Sequence, residues 1–120
     1  MDRIKILIAD DHKLVREGIE SMLSGIEDIE IVGLVSSGED AINVARAARP
    51  DVVLMDIRMP GMDGLEAAQH LNTLGHPPAV IFTTAYDDHA LAAFEAHAVD
   101  YLVKPIRKQR LYEALQRARV

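Results

Sequence analysis

Ile4-Lys5-Ile6-Leu7-Ile8-Ala9-Asp10-Asp11 is a short apolar run that ends in two acids, and Val52-Val53-Leu54-Met55-Asp56 repeats the arrangement. Runs this short and this apolar suit strands covered on both faces of a parallel sheet. The residues between them fit that reading. Val15, Ile19, Met22 and Leu23 stand at helical spacing over residues 14–24, and β-branched Ile29–Val35 reads as a second strand. Ser37-Gly38 is a break. Ala41, Val44, Ala45 and Ala48 then fall at i, i+3, i+4 and i+7 before Pro50 stops the helix. Beyond Asp56, Pro60-Gly61 and Asp63-Gly64 mark a loop. Leu65, Ala68 and Leu71 start a third helix, closed by Gly75 and Pro77-Pro78. Ala79–Phe82 is a fourth strand ending in Thr83 and Thr84. Asp87 or Asp88 caps a fourth helix carrying Leu91, Phe94 and Ala98. Val99–Val103 is a fifth strand, ended by Pro105, and Leu111, Ala114, Leu115 and Ala118 give a fifth helix.

The pattern is (βα) five times in 120 residues, the size of one domain spanning 1–120. Right-handed crossovers leave few arrangements. The expected fold is α/β, a five-stranded parallel doubly wound sheet of order 2-1-3-4-5, flavodoxin-like.

Composition bounds the function. Apolar residues make up 49% of the chain, enough for a core, and none of the apolar runs is long enough to cross a membrane. The N-terminal run is too short for a signal-peptide core. The absence of cysteine excludes disulfides, thiolate catalysis and Cys-ligated metal sites, so a cytoplasmic location is expected. The formal charge of −6 argues against nucleic-acid binding by the whole chain. Residues 104–120 nevertheless carry +5, from Lys104, Arg107, Lys108, Arg110, Arg117 and Arg119 against Glu113. That segment reads either as a solvated helix face or as a surface for an acidic partner.

In a sheet of this kind ligands bind outside the carboxyl ends of the strands, at the switch point between strands 1 and 3. Strand 1 delivers Asp10 and Asp11 there, strand 3 Asp56, strand 4 Thr83 and Thr84, and strand 5 Lys104. Three carboxylates in one small cleft repel unless a cation joins them. Mg²⁺, which takes oxygen ligands and phosphate, suits that demand. With a hydroxyl and an ammonium opposite, the set outlines a phosphoryl-transfer site in which one acid is the acceptor. Singly, each residue has a plainer reading: Asp10 or Asp11 as a helix cap, Asp56 as a loop acid, Lys104 as a solvated turn residue. Their joint placement on four strand ends is what points to a site.

The motifs Ile8-Ala9-Asp10-Asp11-His12, Val53-Leu54-Met55-Asp56-Ile57-Arg58-Met59-Pro60-Gly61-Met62-Asp63-Gly64, Phe82-Thr83-Thr84-Ala85 and Tyr101-Leu102-Val103-Lys104-Pro105 resemble those of CheY-like receiver domains of two-component response regulators, over essentially the whole chain. The resemblance implies a phosphoacceptor switch and not an enzyme acting on an outside substrate. It implies that Asp56 takes a phosphoryl group from a phosphohistidine on a sensor histidine kinase. Asp10, Asp11, Asp56 and the backbone carbonyl of Arg58 would hold Mg²⁺, Thr84 and Lys104 would bind phosphoryl oxygens, and Tyr101 would be an aromatic switch. Pro105 is expected to follow a cis peptide bond that turns strand 5 sharply and aims Lys104 into the cleft. Bulky Arg58 and Tyr86 flank the expected site and imply slow loss of the phosphoryl group.

The N-terminal half is similar to receivers of the NarL/FixJ type and the C-terminal half to the LytTR/AlgR type, both of which regulate transcription through DNA-binding output domains. No output domain is read in these 120 residues, so contact with DNA would be indirect. The face formed by the fourth helix, fifth strand and fifth helix is the expected protein-contact surface, including for a homodimer. A Mg²⁺-dependent aspartyl phosphatase fits less well, because Arg58 stands where a second acid is needed. A flavin-binding electron carrier needs a neutral phosphate loop where Asp10-Asp11-His12 stands. A receiver that takes no phosphate and only dimerises is a further alternative. His12, His70, His76, His89 and His97 match no common zinc spacing, and His12 reads as an exposed first-turn residue.

Overall fold

The computed structural model describes residues 3–85 and 97–119. Five parallel strands, β1 (Ile4–Ala9), β2 (Ile29–Val35), β3 (Val52–Asp56), β4 (Ala79–Thr84) and β5 (Asp100–Val103), form one sheet of order β2-β1-β3-β4-β5. Helices α1 (Lys13–Leu23), α2 (Gly38–Ala48), α3 (Gly64–Leu71) and a C-terminal helix (Lys108–Ala118) cover it.

Strand alternation divides the core in two. Leu7, Ala9, Val53, Met55, Val80 and Phe82 point to one face and pack with Ala41, Ala45, Ala67 and Leu71 of α2 and α3. Ile6, Ile8, Val52, Leu54, Ile81 and Leu102 point to the other and meet Ile19 and Leu23 of α1 and Leu111, Ala114 and Leu115 of the C-terminal helix. Both faces are covered, which is why the central strands carry no polar alternation.

Element boundaries differ from the sequence reading where a break residue is part of a cap. Ser37 is the N-cap of α2, its side chain accepting the Asp40 N–H, and Gly38 already belongs to the helix. Asp63 caps α3 in the same way through the Glu66 N–H, so Gly64 opens that helix and is not part of the loop. The third helix ends at Leu71, ahead of Gly75, and Val99 precedes β5. The expected fourth helix, with Asp87, Asp88, Leu91 and Phe94, lies outside the described residues, apart from Ala98, which is not helical. The Lys104–Pro105 bond is cis, as expected.

Candidate functional site

Hydrogen bonds continue past the strand ends and carry the polar residues into register. The Asp10 N–H donates to the Val35 carbonyl at 3.0 Å, the Ile57 N–H to Thr83 at 3.0 Å and the Lys104 N–H to Thr84 at 2.7 Å. The Arg16 guanidinium donates to the Asp10 carbonyl at 2.6 Å, and the His12 N–H to Asp10 Oδ1 at 2.8 Å. Among the described residues the buried polar ones are Asp10, Asp56, Thr83 and Thr84, all at the carboxyl ends of β1, β3 and β4. Burying polar groups in a chain this rich in apolar residues is costly unless they serve one another or a ligand.

The expected residues come together. Lys104 Nζ lies 2.9 Å from Asp10 Oδ2 and 3.4 Å from Asp56 Oδ1. Asp11 is partly exposed beside them, and Asp10, Asp11 and Asp56 each offer an oxygen to a cluster whose members lie within 4.8 Å of one another. Burial pushes the Asp56 carboxyl up, the charge of Asp10 adds to this, and Lys104 pulls back, leaving it at about 6 instead of 3.8. Asp10 Oδ2 is ion-paired with Lys104 Nζ, and neither it nor Asp11 Oδ1 receives a hydrogen bond. Three clustered carboxylates, two of whose buried oxygens lack a hydrogen bond, suit a hard cation, and the donor set fits Mg²⁺.

Arg58 sits in the loop directly after β3, with an exposed side chain. Thr84 is buried at the end of β4. Tyr101 pairs in register with Phe82 and is half-buried against the core on the α3 face, the face Thr84 also shares by alternation. Tyr86 lies outside the described residues.

The sequence model for the response regulator receiver domain matches residues 6–116. The chain belongs to this family. A transcriptional regulatory protein, BtsR, of Salmonella typhi is 47% identical over 116 residues, covering 97% of this chain and 48% of that protein. The positive alginate biosynthesis regulatory protein of Pseudomonas aeruginosa is 45% identical over 116 residues, 96% of this chain and 47% of that protein. The receiver domain of the response regulator NarL from Mycobacterium tuberculosis superposes with a TM-score of 0.91 at 32% identity, covering 99% of this chain and 98% of that one. This receiver spans about half the length of the curated relatives it matches.

Sequence reasoning missed two features of the receiver. His12 is exposed, as the sequence suggests, but its Nδ1 lies 3.1 Å from Asp11 Oδ1 and 3.3 Å from Asp10 Oδ1. The positive C-terminal segment is largely paired internally. Arg110 forms a two-point pair with Asp100 at 2.8 and 2.9 Å, Arg117 bonds the same carboxylate, and Arg119 bonds Asp28. Burial pushes the Asp100 carboxyl up, but Arg110, the Tyr101 N–H and Arg117 outweigh it and hold the group below the usual carboxylate range. With Lys104 committed to the cleft, the segment is a framework of ion pairs more than a basic patch. The charge count alone carries no signal for this, because the partners Asp28 and Asp100 are distant in sequence or sit in a strand.

Proposed function

We propose that this receiver is a phosphoacceptor switch in which Asp56 takes a phosphoryl group from a phosphohistidine on a sensor histidine kinase. The observation that carries the reading is the buried Asp56 carboxylate, flanked by Asp10 and held 3.4 Å from Lys104 Nζ at the end of β3. A carboxylate oxygen of Asp56 attacks phosphorus, the bond from phosphorus to the histidine nitrogen breaks, and that nitrogen keeps the electron pair and takes up a proton. With its carboxyl at about 6, Asp56 is mostly ionised at neutral pH and able to attack. Lys104 Nζ, 2.9 Å from Asp10 Oδ2, would leave Asp10 and neutralise oxygens on the transferred group, and Thr84 would donate its hydroxyl to one of them.

Asp10, Asp11, Asp56 and the Arg58 carbonyl would hold Mg²⁺, which when bound supplies positive charge against the carboxylates and the phosphoryl oxygens. Tyr101 would read out the event through its face of the sheet, altering the surface around β5 and the C-terminal helix, where a second copy or an output domain docks. The name of the BtsR relative points to transcription as the output, and contact with DNA would fall to a domain other than this one. A cytoplasmic location fits: no helix among the described residues is long and apolar enough to cross a membrane.

Incubation with Mg²⁺ and a small phosphodonor, followed by intact mass measurement, tests the reading. One added phosphoryl group, about 80 Da, is expected in the wild type and none in Asp56→Asn. An unmodified wild type under conditions where a known receiver is modified leaves the dimerisation module as the better account.

A further inference from the structure

Asp100 and Tyr101 are neighbours on β5, so their side chains leave opposite faces of the sheet. Tyr101 packs against the core on the α3 face, and Asp100 points under the C-terminal helix. The Asp100 side chain is only 8% exposed. Its Oδ1 accepts the Tyr101 N–H at 2.8 Å and Arg110 Nη2 at 2.8 Å, and its Oδ2 accepts Arg110 Nη1 at 2.9 Å and also Arg117 Nη1. Arg110 Nη2 donates in addition to the Tyr101 carbonyl at 3.3 Å. The Tyr101 backbone is therefore held at both its N–H and its carbonyl by one ion pair, whose other end is the C-terminal helix. Arg110 stands in the first turn of that helix, and Arg117 follows two turns later on the same side. A two-point guanidinium–carboxylate pair tolerates little change of angle, so a shift of Tyr101 is either resisted or followed by the helix. The contacts to the Tyr101 peptide groups separate this pair from a plain helix anchor such as Arg119 with Asp28.

We propose that Asp100 and Arg110 are positioning residues that couple Tyr101 to the C-terminal helix, carrying a displacement of Tyr101 across the sheet to the opposite face. The inference rests on the reading of Tyr101 as the residue that responds to Asp56, and names the contacts through which that response reaches the helix. Leu102 also joins β5 to Leu111, Ala114 and Leu115, but apolar contact is non-directional and lets one element slide over the other. The hydrogen-bonded fork does not. The coupling is reciprocal: a partner that displaces the helix biases Tyr101, and through it the state of Asp56.

Amide and tyrosine-ring spectra recorded with Mg²⁺, with and without beryllium fluoride, test this in the wild type, Asp100→Asn, Arg110→Lys and Arg119→Gln. The change on adding the mimic is read within each protein. The wild type is expected to show shifts at the Tyr101 ring and along Lys108–Ala118. Asp100→Asn keeps the size of the side chain without its charge, and Arg110→Lys keeps the charge without the fork. Each is expected to retain the Tyr101 ring shift and to lose about half or more of the shift along the helix. Arg119→Gln removes the pair with Asp28 and is expected to match the wild type. If Asp100→Asn does not fold, Arg110→Lys decides alone. A full helix shift in folded Arg110→Lys, or an equal loss in Arg119→Gln, overturns the coupling and leaves Tyr101 as a switch. A wild-type Tyr101 ring that stays fixed while ¹⁹F signals show the mimic bound overturns the reading of Tyr101, and the inference with it.

Discussion

Lys104 Nζ is closer to Asp10 than to Asp56, 2.9 Å against 3.4 Å, so one ammonium is shared between two buried carboxylates. The arrangement holds Lys104 over the cleft before any phosphoryl group arrives. It also makes the lysine structural. Lys104→Met leaves Asp10 and Asp56 facing each other without compensation, and is expected to cost about 3 kcal/mol of stability near neutral pH without metal. In an Asp56→Asn background the cost should fall to about half, since one of the two charges is gone. Urea unfolding of the four proteins measures this, and equal costs in both backgrounds would contradict the shared pairing.

Asp56 gives a stability profile with a definite sign. Its carboxyl rises from 3.8 to about 6 on folding, so between those values the native state holds a proton that the unfolded chain has released. Stability contributed by this group is therefore present at low pH and lost as pH rises through about 6. Asp56→Asn removes the ionisation. It should exceed the chelator-treated wild type by about 2–3 kcal/mol near neutral pH, and the gain should shrink as pH falls towards 4. Unfolding free energies across that range check it; a gain independent of pH would count against the shift.

The strands and most of the site were legible because their signals are local. Ile4–Ala9 and Val52–Asp56 announce two-sided burial, and parallel topology then obliges Asp10, Asp56, Thr84 and Lys104 to share one end of the sheet. Ser37 and Asp63 were harder, because a capping residue and a loop residue have the same composition until the accepted N–H is seen. The direction of the His12 ring and the pairing of Arg110 and Arg117 with Asp100 depend on side-chain torsions and on contacts between separate elements. Neither leaves a period or a motif.

Gly64 sets the position of the acceptor from behind. A Cβ built on it would lie 2.1 Å from the Asp56 carbonyl oxygen and 2.9 Å from Met55 Cγ, while its N–H donates to the Ile57 carbonyl at 2.8 Å. Gly64→Ala must push β3 and α3 apart, at an expected cost of about 2–3 kcal/mol, and should slow adduct formation about tenfold. Gly75→Ala meets nothing within 4 Å and serves as the control. Normal stability and rate in Gly64→Ala would refute the positioning role.

Tyr101 should respond to the state of Asp56. It shares a sheet face with Thr84 and is only half-buried, so an inward shift of Thr84 towards a phosphoryl group opens room in which the ring gains apolar burial. Ring resonances of Tyr101 are expected to shift when beryllium fluoride is added with Mg²⁺, and to stay fixed in Asp56→Asn. Identical spectra with and without the mimic would show a ring that reads nothing.

The central claim is that Asp56, and no other acid of the cleft, accepts the phosphoryl group. An acyl phosphate is reduced by borohydride to the alcohol, so a phosphorylated aspartate becomes homoserine and can be located by peptide mapping. Treatment of the wild type with phosphodonor, Mg²⁺ and then borohydride should yield homoserine at position 56 and leave Asp10 and Asp11 intact. Homoserine at position 10 or 11, or none at position 56 in protein whose intact mass shows the adduct, would contradict the account.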